Sequence, residues 1–291
     1  MNGGDVPTSG AVFPSALQRF RQDRLSFLAA ALIAVLILLS LFGAAFSPHE
    51  VAALDWTHIA TPPALADAHW FGTDRLGRDL FVRTLAGARL SLGIGLIATA
   101  VSVIVGVLYG AIAGYAGGRT DQAMMRLIEV LSGLPLIFFV IFLTVILGRS
   151  VLLLFAAIGA VGWLTMARIV RGQAMSIRQR EYIDAARLGG STPLRIILVH
   201  VVPNLLGPVI VYATLTVPQV VLFESFLSFL GLGVQEPQAS LGTLIAEGAA
   251  EMESASWMLL IPGAYLTLLL LCLNLVGDGL RDALDEPTHA G

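Results

Sequence analysis

The stretch Glu181-Tyr182-Ile183-Asp184-Ala185-Ala186-Arg187-Leu188-Gly189-Gly190, followed by Ser191 to Val202 and then Pro203-Asn204, lies between two apolar runs. It reads as helix, forced turn, second helix, stop. On the first helix Ile183, Ala186 and Gly190 fall at i, i+3 and i+7, with Tyr182, Ala185 and Gly189 beside them. That face is mostly methyl groups and bare backbone, which lets another protein surface approach closely. Arg180 with Asp184, and Asp184 with Arg187, edge the face at helical spacing and can pair locally or across an interface. Gly189-Gly190 ends the helix, because glycine enters the left-handed conformation without a Cβ penalty. Thr192 reads as an N-cap, Pro193 as the first helical residue and Pro203 as a helix breaker.

The rest of the chain says where such a hairpin would sit. At 56% hydrophobic and 13% charged residues, with a mean hydropathy of +0.83, the composition excludes an ordinary soluble domain. Apolar runs near residues 26–46, 90–115, 134–147, 151–169, 205–230 and 257–277 approach or exceed the length that crosses a hydrocarbon core, about 20 residues. Backbone groups in lipid must be satisfied within the segment, and continuous runs without alternation argue against a barrel. The expectation is an all-α polytopic membrane protein with six spans. Its parts are a tail over 1–25, an anchor over 26–46, an outer segment over 47–89, a five-span core over 90–277 that includes the hairpin region 168–204, and a tail over 278–291. The first apolar run is longer than the roughly 7–15 residues of a signal-peptide core, so it is read as an uncleaved anchor.

Arginine placement sets orientation. Arg19, Arg21, Arg24, Arg119, Arg126, Arg168, Arg171, Arg178, Arg180, Arg187, Arg195 and Arg281 share one side, which the positive-inside rule makes cytoplasmic, together with both termini. The opposite side carries Arg75, Arg78, Arg83, Arg89 and Arg149, and its late loop holds Glu236, Glu247, Glu251 and Glu253 without a basic residue. The hairpin is therefore predicted to be cytoplasmic.

The chain contains no lysine. A phosphate-binding loop of the Gly-x-x-x-x-Gly-Lys-Ser/Thr type needs one, so any ATP-driven motor belongs to a separate polypeptide. Cys272 is the single cysteine, and His49, His58, His69, His200 and His289 all fall outside the predicted spans. That distribution argues against an intramembrane metalloprotease. No catalytic residue, metal ligand, resident cofactor or nucleic-acid site is assigned to this chain. A secondary transporter would show inverted repeats or midplane ion sites, and neither stands out.

The hairpin resembles the coupling loop, or EAA loop, of permease subunits in binding-protein-dependent ABC importers. That pattern is Glu-Ala-Ala, three residues, Gly, nine residues, then Ile, any residue, Leu and Pro. Asp184-Ala185-Ala186, Gly190 and Pro203 match its spacing, while Asp184, His200 and Val202 depart from its Glu, Ile and Leu. The form His200-Val201-Val202-Pro203-Asn204 resembles the peptide-importer branch. Phe71-Gly72-Thr73-Asp74-Arg75-Leu76-Gly77-Arg78-Asp79 is similar to the Gly-Thr-Asp-x-x-Gly-Arg-Asp signature of C-type subunits in dipeptide and oligopeptide importers. Further likeness lies in Met124 to Leu131, Met166 to Gln173, Leu222 to Gly233 and Gly277 to Asp285. Gly106, Gly110 and Gly114 form a small-residue stripe that permits close helix packing.

The resemblance implies a type I ABC-importer permease working by alternating access in the bacterial inner membrane. Implied partners are a B-type permease subunit, two ABC ATPases that carry ATP and Mg, and a periplasmic or lipid-anchored peptide-binding protein. Oligopeptides are the implied cargo, with dipeptides, nickel, glutathione or haem as alternatives in the same family. Tyr182, Ile183, Asp184, Ala185, Ala186, Gly190 and Pro203 would couple to the ATPases.

Two regions keep two readings each. Gly72, Asp74, Gly77, Arg78 and Asp79 form either a collar that positions the binding protein or partner permease, or a stabilised loop capping the second span. Glu224, with Pro218-Gln219 upstream, either lines the transport route or pairs with a neighbouring subunit near the outer headgroups.

Overall fold

The computed structural model describes residues 17–65, 67–135, 138, 141–142, 146 and 151–284, with the side chains of 151–157 and 160 left aside. Most of the predicted run 134–147 lies outside the described residues. Among the described residues the regular structure is helical. The helices are α1 (Arg24–Phe42, extended by a 3-10 turn at Gly43–Phe46), α2 (Leu80–Ala116), α3 (Gly118–Ser132), α4 (Val151–Arg178), α5 (Glu181–Leu188), α6 (Pro193–Ile196), α7 (Val202–Phe229), α8 (Leu241–Ala250) and α9 (Trp257–Leu284). A π-helical segment, Ile197–Val201, joins α6 to α7. Arg24–Phe46, Leu80–Ala116, Pro193–Phe229 and Trp257–Leu284 are long and apolar enough to cross a membrane. The predicted run 151–169 lies in α4.

The helices outrun the apolar stretches because polar residues cap and extend them. The Asp23 carboxylate accepts the backbone N–H groups of Leu25 and Ser26 and starts α1. Asp79 does the same for α2 by accepting from Val82 N at 2.9 Å, so α2 begins at Leu80 and not near residue 90. At 37 residues α2 is about 55 Å long, at 1.5 Å per residue. This rod separates two poles. Its first turn carries the segment that precedes Leu80, and its last turn meets the α5 hairpin through Tyr115.

The glycine stripe of α2 packs against α4 as its spacing predicts. A Cβ at Gly106 would stand 2.6 Å from Met166 Cβ, one at Gly110 would stand 2.5 Å from the Ala167 carbonyl oxygen, and one at Gly114 would stand 2.6 Å from the Arg171 carbonyl oxygen. Only hydrogen fits at these crossings, and the two backbones touch. Val107 and Ala111 of α2, with Met166, Val170 and Ala174 of α4, continue into a buried cluster with Ile183, Ile196, Ile197, Val201 and Leu205.

The two ends of the described chain meet. Ser26 Oγ donates to the Leu275 carbonyl at 3.1 Å, and Arg19 Nη1 to the Ala283 carbonyl at 3.4 Å. The start of α1 and the end of α9 therefore share one pole.

Candidate functional site

At the α5 pole, Ile183 faces inward. Its side chain is wholly buried among residues of α2, α4 and the α6–α7 rod, and Ala186 packs against the same cluster. This corrects the sequence reading of Ile183, Ala186 and Gly190 as one outward docking face: the apolar i, i+3 pair is spent on the chain's own core. The outward face is Tyr182, Asp184, Ala185, Leu188 and Gly189, with Leu194 across the turn. Leu188 is 91% exposed and Leu194 63%, so two uncovered leucines flank the turn.

The turn is built as the glycines suggest, with one refinement. Gly189 keeps a right-handed backbone and Gly190 alone takes φ +76°. Gly190 N donates to the Arg187 carbonyl and Ser191 N to the Ala186 carbonyl at 3.1 Å, a Schellman closure. Thr192 caps α6 by accepting from Arg195 N, with Pro193 in its first turn. Asp184 pairs with Arg187, whose Nη1 lies 2.9 Å from Oδ1, while Arg187 Nε reaches the Tyr115 hydroxyl at 3.3 Å. Behind the hairpin Arg171 forks onto Asp121, Nη2 to Oδ2 at 2.6 Å, and this hydrogen bonding holds the Asp121 carboxyl below its usual range.

Pro203 does not break the rod. Proline lacks an N–H, and here it occupies the first turn of α7, just past a π segment in which Val202 N reaches back five residues to the Ile197 carbonyl. Asn204 Nδ2 satisfies the His200 carbonyl at 2.6 Å. The hairpin thus runs into the α7 span without a stop, which corrects the predicted helix end.

At the opposite pole the Gly72–Asp79 motif is a knot of buried charge. Gly72 and Gly77 take φ +78° and +75°. Asp74 Oδ1 accepts from Leu76 N and Arg78 N, and its Oδ2 accepts from Arg78 Nε at 2.6 Å and Arg83 Nη1 at 2.8 Å. Arg83 Nη2 then reaches Glu247 of α8 at 3.2 Å, and Arg78 Nη2 reaches Glu236 at 3.1 Å. Arg83, buried and decisive for this bridge, was not singled out from sequence as a site residue; its place one turn after the Asp79 cap was the available signal. Asp74, Arg78 and Asp79 are all buried, so the motif works as a structural clasp between the outer segment, α2 and the α7–α8 connection. Burial raises the Glu247 carboxyl to about 7 against the attraction of Arg78. Three histidines from the segment before α2, namely His49, His58 and His69, gather here with Asp55 and Asp79.

Glu224 is wholly buried among this chain's own helices. Its Oε2 accepts from Ser91 Oγ of α2 at 2.7 Å and its Oε1 from Ser228 Oγ at 2.6 Å. Ser91 Oγ in turn accepts from Leu241 N, in the first turn of α8. The carboxylate therefore pins three helices at one point. Pro218 is buried inside α7, which continues through it, and Gln219 is exposed.

The matches to other proteins agree with this architecture. Residues 106–288 match the family model "Binding-protein-dependent transport system inner membrane component", and residues 13–63 match "N-terminal TM domain of oligopeptide transport permease C". The chain is 48% identical over 278 residues to the oligopeptide transport system permease protein OppC of Escherichia coli K12, covering 94% of this chain and 91% of that one. It is 46% identical to the OppC protein of Haemophilus influenzae, over 94% of this chain and 88% of that one. Against the OppC protein of Bacillus subtilis the identity is 40%, over 98% and 94%. In fold it is similar to a chain of the inward-facing MetNI methionine ABC transporter, with a TM-score of 0.58 at 18% identity, covering 71% of this chain and 97% of that one.

Proposed function

Because the chain belongs to the family of inner-membrane components of binding-protein-dependent transport systems, we propose that it is the C-type permease subunit of an oligopeptide importer. The observation that carries the cargo is the near-full-length match to oligopeptide permeases from three bacteria. In this reading the chain pairs with a B-type permease subunit in the bacterial inner membrane. Two ABC ATPases with ATP and Mg dock at the α5 pole, and an extracytoplasmic binding protein delivers peptide at the other. Both termini lie in the cytoplasm. The chain performs no covalent chemistry.

The coupling argument follows from the geometry. Tyr182, Ala185 and Leu188 offer an apolar surface to a partner, while Ile183 and Ala186 fasten that surface to the α2–α4 crossing. A push on α5 passes into α7 through the unbroken α6–π–α7 rod, so the hairpin moves a membrane span as one lever. Gly190 and Pro203 shape the lever and touch no partner in this scheme. The Asp74 clasp holds the outer segment in a fixed shape against α2 and α8, which suits a surface that receives a binding protein.

The test is reconstitution of the chain with its partner subunits in proteoliposomes. ATP-dependent uptake of labelled peptides of four or five residues, exceeding that of dipeptides, is the expected result. Preference for dipeptides, or uptake of nickel, glutathione or haem with no oligopeptide transport, would overturn the cargo assignment.

A further inference from the structure

We propose that the outer segment holds one divalent transition-metal ion of the zinc class, bound by Asp55, His58 and His69. The tertiary structure brings these ligand types together from separated positions. One potential donor atom from each of Asp55, His58 and His69 lies within 4.8 Å of the others, and the same is true of His49, His69 and Asp79. Zinc bonds of about 2.0–2.2 Å place tetrahedral ligand atoms about 3.4 Å apart, so the 3.9 Å approach of His69 to Asp55 would close slightly and the 2.8 Å approach of His58 would open slightly.

His69 carries the argument. It is 3% exposed, and its Nδ1 lies 2.9 Å from Asp79 Oδ2. That carboxylate also caps α2, so it is fixed in place. A carboxylate on one ring nitrogen orients the imidazole and makes the other nitrogen a better ligand, the arrangement found behind metal-bound histidines. The free nitrogen, Nε2, looks towards Asp55 Oδ2 at 3.9 Å. The same Asp55 oxygen meets His58 Nδ1 at 2.8 Å, where a proton now holds the pair together. A cation at Nδ1 would take the place of that N–H, and the neutral ring would carry its proton on Nε2 instead.

Asp55 is suited to this. Thr57 donates its backbone N–H and its hydroxyl to Oδ1, which leaves Oδ2 beside the two imidazoles. His49 stacks on His69 with ring centroids 4.1 Å apart, which fences the site on its far side. Two imidazoles and one carboxylate select zinc, nickel or cobalt over magnesium and calcium. With three protein ligands the fourth position stays available to water or to a carboxylate brought from outside. Bound metal would staple the 55–58 turn to His69 and, through Asp79, to the first turn of α2.

The experiment uses the full chain in detergent, purified without a polyhistidine tag, stripped by chelator and titrated with zinc. One zinc per chain is expected, displaced by cobalt or nickel and not by magnesium, with a rise in the thermal midpoint. Cobalt should give the strong visible absorption of a four-coordinate site. Asp55→Asn and His58→Ala, both at partly exposed positions, should each weaken zinc binding at least about 10-fold, the lower end of what losing even a supporting residue costs. His200→Ala, at the opposite pole, should leave binding unchanged. Absence of zinc binding in the parent chain, or binding that survives both Asp55→Asn and His58→Ala, would overturn the proposal. So would equal loss in His200→Ala.

Discussion

Ser91 and Glu224 stand 133 residues apart in sequence and share a 2.7 Å hydrogen bond inside the protein, between α2 and α7. The same serine oxygen accepts from the backbone at the start of α8. One carboxylate thereby fixes the relative position of two spans and of the short helix that follows them. In a membrane the alternative partners for a buried carboxylate are few, so this arrangement specifies helix packing where apolar contacts alone would leave it loose.

Glu224→Gln keeps the shape and lets the serine hydroxyls turn to accept, and should cost little stability. Glu224→Ala leaves the Ser91 and Ser228 hydroxyls without their acceptor and opens a cavity, a loss of about 2–4 kcal/mol. Thermal unfolding in detergent separates the two variants. Peptide preference should be the same in Glu224→Gln as in the parent, because the side chain reaches no surface. A selective loss of cationic peptides would place the carboxylate on the route after all.

Glu247 gives a pH signature. Its carboxyl sits near 7 in the folded chain against an ordinary value of 4.5. The folded state therefore holds a proton that the unfolded state has released, and this contribution to stability falls as pH rises from about 4.5 through 7. Glu247→Gln is neutral throughout and should flatten the decline. The check is the thermal midpoint of both proteins from pH 5 to pH 8. An unchanged slope in the variant would remove Glu247 as its source.

The hairpin separates anchoring from docking. Leu188→Glu changes a side chain that is 91% exposed and should leave folding intact while releasing the ATPase subunits and abolishing uptake. Ile183→Ala removes a wholly buried side chain and should lower stability by about 2–4 kcal/mol. Co-purification of the ATPases, read beside the unfolding temperature, distinguishes the two. Normal ATPase retention and uptake in Leu188→Glu would show that the partner docks elsewhere.

Topology can be read with single cysteines after Cys272→Ser. The outer-side reporter belongs at Met252, in the turn between α8 and α9, which is 56% exposed. Met252→Cys should react with an impermeant thiol reagent added outside intact cells, and Leu188→Cys only after the membrane is opened. The reverse pattern would invert the arginine-based orientation.

Class and family are legible in the linear chain. Apolar runs compel helices in lipid whatever their neighbours do, and the spacing of Asp184-Ala185-Ala186 to Gly190 and of Gly72 to Asp79 is local chemistry. The Thr192 cap was legible for the same reason, since a cap acts within four residues, whereas the caps at Asp23 and Asp79 lie ahead of the apolar runs and show only in the structure. The glycine stripe of α2 predicted a close crossing, although not which helix would fill it. Tertiary structure alone decided which way each side chain faced. Ile183 and Tyr182 are neighbours on one short helix, and only the position of the α2–α4 pair buries one and exposes the other. Glu224 kept two readings in the sequence, and its partner Ser91 comes from a distant span. Arg83 and Glu247, or His58 and His69, meet because the chain folds back at the outer pole. Contacts between distant residues depend on how the rods pack, and no local period in the sequence encodes that.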